Sequence, residues 1–165
     1  MNESKILTRI RVNGELHAHW VEPRQHLVDY LRDEIGLKGT RVGCEHGVCG
    51  ACTVMLDGEI ARGCLVLAVQ ADGHEVQTIE GVSDAGAIAD LQQAFVARNA
   101  AQCGACTPGM LLTAHALLRH EPNAGRAEIR EQISGNYCRC TGYHAIVDAI
   151  VLARDQRLRG GGAHE

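Results

Sequence analysis

The sequence predicts an α+β fold in two successive domains, a strand-rich first half and an all-helical second half. Three observations predict it. Up to Ile79 the apolar residues alternate with a period of two and are punctuated by tight-turn pairs at Asn13-Gly14 and Asp57-Gly58. Beyond Gly81 the period lengthens to about 3.6, the spacing of an α-helix. The eight cysteines divide in the same way, Cys44, Cys49, Cys52 and Cys64 in the first half and Cys103, Cys106, Cys138 and Cys140 in the second. The expected division is a first domain over 1–80, a second over 81–158 and a disordered tail over 159–165.

In chain order, Lys5 to Val12 and Glu15 to Val21 alternate on either side of Asn13-Gly14 and form an opening β-hairpin. Leu27, Val28, Leu31 and Ile35 mark one face of a helix that follows Pro23 and is stopped by Gly36. After a cysteine loop, Thr53 to Leu56 and Glu59 to Ala61 form a second hairpin about Asp57-Gly58, and His74 to Ile79 gives a last strand. Hairpin, helix, cysteine loop, hairpin and strand fit a β-grasp, plant-type ferredoxin domain. Gly81, Ser83, Asp84 and Gly86 predict a connection rather than an element. Ile88 to Arg98, Met110 to Leu118, Arg126 to Ser134 and Ala145 to Leu158 predict a four-helix domain, the second helix with Thr107 as N-cap and Pro108 at its first position.

Each half of a 165-residue chain is near the size at which an apolar core alone is marginal. Aromatic residues make up only 3% of the chain, so the cores are built from Val, Leu, Ile and Ala, and a small half of that kind gains from an inorganic staple. The formal charge of -4 argues against a nucleic-acid partner. No stretch approaches the roughly 20 apolar residues of a membrane span, and Met1 to Lys5 leads into a strand pattern without a signal-peptide core, so a cytoplasmic protein is expected. In that reducing compartment cysteines serve as metal ligands rather than in disulfides.

The stretch Gly43-Cys44-Glu45-His46-Gly47-Val48-Cys49-Gly50-Ala51-Cys52 with Cys64 has the spacing C-x4-C-x2-C-x11-C. That is plant-type ferredoxin spacing, for which a 2Fe-2S cluster is the natural occupant. Zinc more often uses two short knuckles, and a disulfide needs an oxidising compartment. Glycines within the loop allow the chain to curl and its amides to approach sulfur. Cys103, Cys106, Cys138 and Cys140 give C-x2-C-x31-C-x-C, with four thiols at neighbouring helix starts. Spacing alone leaves 2Fe-2S and tetrahedral zinc both open there.

GCEHGVCGACTV with Cys64, then QCGACTPGM, then GNYCRCTGY, resembles the small iron-sulfur subunit of molybdenum hydroxylases of the xanthine dehydrogenase family. The resemblance spans almost the whole chain, with several motifs in matching order and spacing. It implies two 2Fe-2S clusters, the helical one beside a molybdopterin-type molybdenum cofactor on a large partner subunit. The ferredoxin cluster would lie toward FAD on a medium subunit, and the complex would be a dimer of heterotrimers. It also implies that Gln102 and Cys140 approach the pterin. One departure is Ala105, which stands where the family pattern carries an aromatic residue.

The chain would then carry electrons from the molybdopterin site through both clusters to FAD, as part of an oxidoreductase whose substrate binds elsewhere. An aromatic N-heterocycle is the expected substrate, with carbon monoxide, aldehydes, purines and hydroxybenzoyl thioesters as alternatives. A free-standing double-cluster carrier and a zinc-stabilised interaction module are the rival classes. No paired carboxylates and no nucleophile-base arrangement are visible, so no catalytic residue is assigned. With four cysteines at each site, His46 and His144 read as loop or capping residues rather than ligands. Arg139 either biases a cluster's potential or pairs with a surface carboxylate.

Overall fold

The structure is a computed structural model and describes residues 4–161. Five strands form one mixed sheet in the order β2-β1-β5-β3-β4. Strand β1 (Ile6–Val12) pairs antiparallel with β2 (Glu15–Val21), and the connecting Asn13 and Gly14 both have positive φ, 51° and 86°, as a type I′ turn demands. Strands β3 (Thr53–Leu56) and β4 (Glu59–Arg62) repeat the device at Asp57 and Gly58. Strand β5 (Glu75–Gln77) runs parallel to β1 and antiparallel to β3, so the late strand closes the sheet at its centre.

The first helix is shorter than the periodicity predicts. Helix α1 (Leu27–Asp29) widens at once into a π-helical turn over Tyr30–Glu34, where the Ile35 amide reaches back to the Tyr30 carbonyl at 3.2 Å. The widening lets Tyr30 and Leu31 join Leu27 in the core beneath the sheet, with Ile10, Val54 and Val76. Gly36, at φ 88°, ends the segment as expected. A 3₁₀ turn, Ala68–Ala71, fills the space before β5.

The last strand was expected to run to Ile79 and Gly81 to Gly86 to be a connection; instead β5 ends at Gln77 and Ile79–Asp84 form α2, with Ile79 and Val82 buried. Gly81 is not a helix breaker here. It sits where a Cβ would strike the Asn13 side chain, whose amide oxygen accepts from the Thr78 amide at 2.9 Å. The four predicted helices follow as α3 (Ala89–Ala97), α4 (Thr107–His120), α5 (Arg126–Ile133) and α6 (His144–Gly161). Thr107 is the first residue inside α4 rather than its N-cap. Cys106 occupies the cap, its carbonyl taking the Met110 amide at 3.0 Å, and the Thr107 hydroxyl is buried without a partner. Of the expected tail, residues 159–161 continue α6, and residues 162–165 lie outside the described residues, as do residues 1–3 at the start.

Helix α4 lies between the two halves. Its Met110, Leu112, Ala114 and Leu117 join Leu91, Phe95, Ile129, Ile146 and Ile150 in the helical core, which also takes in Met55 from β3. Neighbouring Val54 points into the other core, so β3 is buried on both faces. An ion pair and a hydrogen bond fasten α6 at its far end: Arg157 holds Asp90 of α3 at 2.5 and 3.0 Å, and the Arg154 guanidinium donates to the Ala124 carbonyl at 2.7 Å.

Candidate iron-sulfur sites

The first thiol set lies on the loop between the π-helical turn and β3, completed by Cys64 after β4. The Sγ atoms of Cys52 and Cys64 are 3.3 Å apart and both residues are 2% exposed, walled by Val28. Cys44 and Cys49 form the half-buried edge, where the Cys49 amide points at the Cys44 Sγ from 3.4 Å. The Cys49 amide, helped by those of His46 and Val48, brings the Cys44 thiol down to about 6. Burial pushes Cys52 up to about 11. A loop whose amides converge on sulfur is built for negative charge. Its tightness depends on missing side chains: a Cβ on Gly43 would stand 2.9 Å from the Cys49 Sγ, and one on Gly47 would enter the exposed Leu65.

The second set lies where α4 and α6 begin. Cys103 and Cys140 are exposed, with sulfurs 3.5 Å apart, and Gln102 is exposed beside them. Cys106 and Cys138 are half-buried on the inner side. Burial pushes Cys106 up to about 12. Burial also acts upward on Cys138, but the Thr141 hydroxyl, donating to its Sγ at 3.1 Å, and nearby amides outweigh it and leave the thiol below its ordinary value. Tyr143, at φ 70°, clamps this loop: its hydroxyl accepts from the Cys138 amide at 2.9 Å and donates to the Asn136 carbonyl at 3.2 Å. Ala105 is exposed at the rim.

The two loops touch. The Tyr137 amide donates to the Cys49 carbonyl at 2.8 Å, so one hydrogen bond joins a thiol-bearing residue of the first set to the neighbour of Cys138 in the second. Beside it, the side chain of Asn136, 1% exposed, donates to the Gly50 carbonyl at 3.0 Å.

Two family models divide the chain between them. One described as a 2Fe-2S iron-sulfur cluster binding domain matches residues 10–80, and one described as a [2Fe-2S] binding domain matches residues 78–151. The caffeine dehydrogenase subunit gamma of Pseudomonas sp. (strain CBB1) is 53% identical over 150 residues, covering 89% of this chain and 90% of that one. The xanthine dehydrogenase iron-sulfur-binding subunit of Escherichia coli O157:H7 is 41% identical over 157 residues, covering 92% and 96%. The chain belongs to the small iron-sulfur subunits of the molybdenum hydroxylases of the xanthine dehydrogenase family. Among solved structures, quinoline 2-oxidoreductase from Pseudomonas putida 86 superposes with a TM-score of 0.87 at 46% identity, over 95% of this chain and 98% of that one. As such a subunit the protein is a component of an oxidoreductase, and its paired 2Fe-2S-binding domains replace the zinc reading that spacing had left open at the second set.

The donors fit that cofactor. Two thiolates on one tetrahedral metal with bonds of about 2.3 Å are separated by about 3.7 Å. The Cys52–Cys64 and Cys103–Cys140 sulfur separations, 3.3 and 3.5 Å, are close to that edge. The close sulfurs come in pairs, Cys52 with Cys64 and Cys103 with Cys140, which fits a two-iron centre in which each iron takes two thiolates. His46 turns a ring nitrogen to the Cys44 carbonyl, and His144 opens α6. Asn136, Thr141 and Tyr143 support the second loop and were not singled out from sequence, although all three lie within GNYCRCTGY. No described helix is long and apolar enough to cross a membrane.

Proposed function

We propose that this chain is the electron conduit of a molybdenum hydroxylase, with Cys103, Cys106, Cys138 and Cys140 holding the cluster at which electrons enter. Cys44, Cys49, Cys52 and Cys64 hold the cluster from which they leave. The clusters supply one-electron acceptor sites, and the protein fixes their spacing, charge and exposure. The observation that carries this reading is the 2.8 Å hydrogen bond from the Tyr137 amide to the Cys49 carbonyl, which joins a thiol-bearing residue of the first set to the neighbour of Cys138 in the second. Exposed Cys103, Cys140 and Gln102 fit an entry edge against a molybdopterin-type cofactor on a large subunit, with Gln102 as a pterin contact. Exposed Val48 and Leu65, flanking the Cys44 loop, fit an exit edge against a medium subunit bearing FAD.

In this reading the partner subunits assemble with the chain as a cytoplasmic dimer of heterotrimers, and the domains divide near residue 80. The substrate is an aromatic N-heterocycle, as caffeine and quinoline are in the names of two relatives. The test uses the assembled complex carrying Cys49→Ser. Rapid mixing with substrate should reduce the helical cluster at its normal rate while flavin reduction slows by orders of magnitude. Flavin reduction at the unmodified rate would place the ferredoxin cluster off the path and refute the serial order.

A further inference from the structure

We propose that Asn136 is the positioning residue that sets the electronic contact between the two clusters, an inference that rests on the conduit reading above. Asn136 is neither a ligand nor a helix residue, yet it is 1% exposed at the seam between the halves. Its amide oxygen accepts from the Thr113 hydroxyl of α4 at 2.9 Å, and its amide nitrogen donates to the Gly50 carbonyl at 3.0 Å. The orientation is forced. A carbonyl can only accept, so the nitrogen must face Gly50, and the Thr113 proton must then serve the oxygen.

Position in the chain gives this bond its meaning. Gly50 directly follows Cys49, and Asn136 is followed by Tyr137 and Cys138. The Thr53 hydroxyl at 2.7 Å and amide at 3.3 Å tie the Gly50 carbonyl to its own half, and the helical half reaches both neighbouring carbonyls, that of Cys49 by the Tyr137 amide and that of Gly50 by the Asn136 side chain. Gly50 lies at φ 72°, where its flanking peptides swing easily unless held. Packing has been shaped to admit the amide, since a Cβ on Gly50 would stand 2.6 Å from the Asn136 nitrogen and one on Gly109 would press on the Gly50 carbonyl. A polar group buried this deeply is costly unless its partners are in register, so it specifies one relative placement of the loops rather than merely filling space.

The step affected is the passage of one electron from the reduced cluster to the oxidised one, with no bond made and no proton moved. Loss of the amide should let the Cys49-Gly50 peptides drift from Tyr137 and weaken the contact. Arg62 supplies the comparison, because its guanidinium also crosses the seam, to the Gly135 carbonyl at 2.8 Å, but reaches the Gly50 carbonyl only through the Thr53 hydroxyl.

The experiment compares the intact complex with Asn136→Ala, Thr113→Val and Arg62→Met. It measures iron content, the magnetic splitting between the two reduced clusters, each cluster's potential, and the inter-cluster rate. Asn136→Ala should keep its iron and potentials, lose most of the splitting, and transfer electrons about 10- to 100-fold more slowly, as loss of an outer-shell partner does elsewhere. Thr113→Val, which leaves the amide without its orienting donor, should move in the same direction by less. If Asn136→Ala loses a cluster, Thr113→Val decides: unchanged splitting and rate overturn the proposal. It is also overturned if Asn136→Ala transfers at the normal rate, or if Arg62→Met matches it. No electron transfer between the two clusters in the unmodified complex would refute the conduit reading itself.

Discussion

Gly109→Ala tests the seam through a conflict between local and long-range terms. Gly109 sits in the first turn of α4, where replacing glycine by alanine ordinarily gains up to about 1 kcal/mol of helix propensity. Here the new Cβ would fall inside the 3.0 Å that real Cβ atoms keep, against the Gly50 carbonyl, and lie 3.2 Å from the Asn136 amide nitrogen. The atom it meets is backbone between two thiol residues, so it cannot turn aside as a flexible side chain would. Overpacking costs about 1–3 kcal/mol. Pushing the carbonyl from a buried amide costs about 1–3 kcal/mol more. Long-range terms therefore win, for a net loss of about 3 kcal/mol, or about 6–12 °C in Tm for a chain of this size. Thermal unfolding of the cluster-loaded protein, followed together by circular dichroism and visible cluster absorbance, should show it. Gly160→Ala, in α6 with no atom near its Cβ, is the control and should leave Tm unchanged or slightly raised. A Gly109→Ala protein as stable as the unmodified one would mean that the seam yields freely and that the close approach has no structural consequence.

Metal analysis should find four irons and four labile sulfides per chain, and Cys106→Ser should leave two of each, because its thiol set is separate from the one around Cys44; stoichiometric zinc at either set would contradict the assignment. Tyr143→Phe strips the Cys138 amide and the Asn136 carbonyl of their shared partner, and should cost about 1–3 kcal/mol in denaturant unfolding; no change would show that water replaces the hydroxyl. Burial alone would raise the Asp90 carboxyl, but the Arg157 guanidinium and the Leu91 amide hold it below its ordinary value. A depressed carboxyl stabilises the fold above its unfolded pKa of about 4, and that contribution disappears as pH falls through the folded value. Stability should therefore drop more steeply below about pH 4 in the unmodified protein than in Asp90→Asn; parallel curves in urea would remove Asp90 from the acid response.

The thiol sets were legible because cysteine carries its chemistry in its identity and four of them leave a spacing. The hairpins were legible because Asn-Gly and Asp-Gly turns are local, and the observed φ values of Asn13, Gly14, Asp57 and Gly58 satisfy the demand that the pairs announce. What escaped the sequence depends on distant partners. Gly81 reads as a breaker until Asn13, distant in sequence but at the end of the neighbouring strand β1, is seen to occupy the space of its missing side chain. The π-helical turn answers a core in which Tyr30 and Leu31 must both be buried, which no spacing of the apolar residues states. Thr107 looks like a cap, but the capping carbonyl falls one residue earlier. Arg159, Gly160 and Gly161 look like a tail, but α6 is already fastened by Arg154 and Arg157 and its register runs on through them. Asn136 is typical of a loop, and only contacts with Gly50 and Thr113 make it a buried staple.

Strand β3 has a consequence for how the protein is made. Met55 belongs to the sheet by its backbone and to the helical core by its side chain. A ribosome delivers the sheet first, so for the time needed to synthesise the next 50 or so residues, at about 5–20 residues per second, that strip of the nascent chain has nothing to cover it. A cluster inserted early into the Cys44 loop would sit on a half-built platform, exposed on the side where α4 has yet to arrive. Maturation is therefore expected to favour metal delivery after release of the whole polypeptide. Swapping halves between relatives should succeed only when Met55 and the face of α4 that receives it travel together.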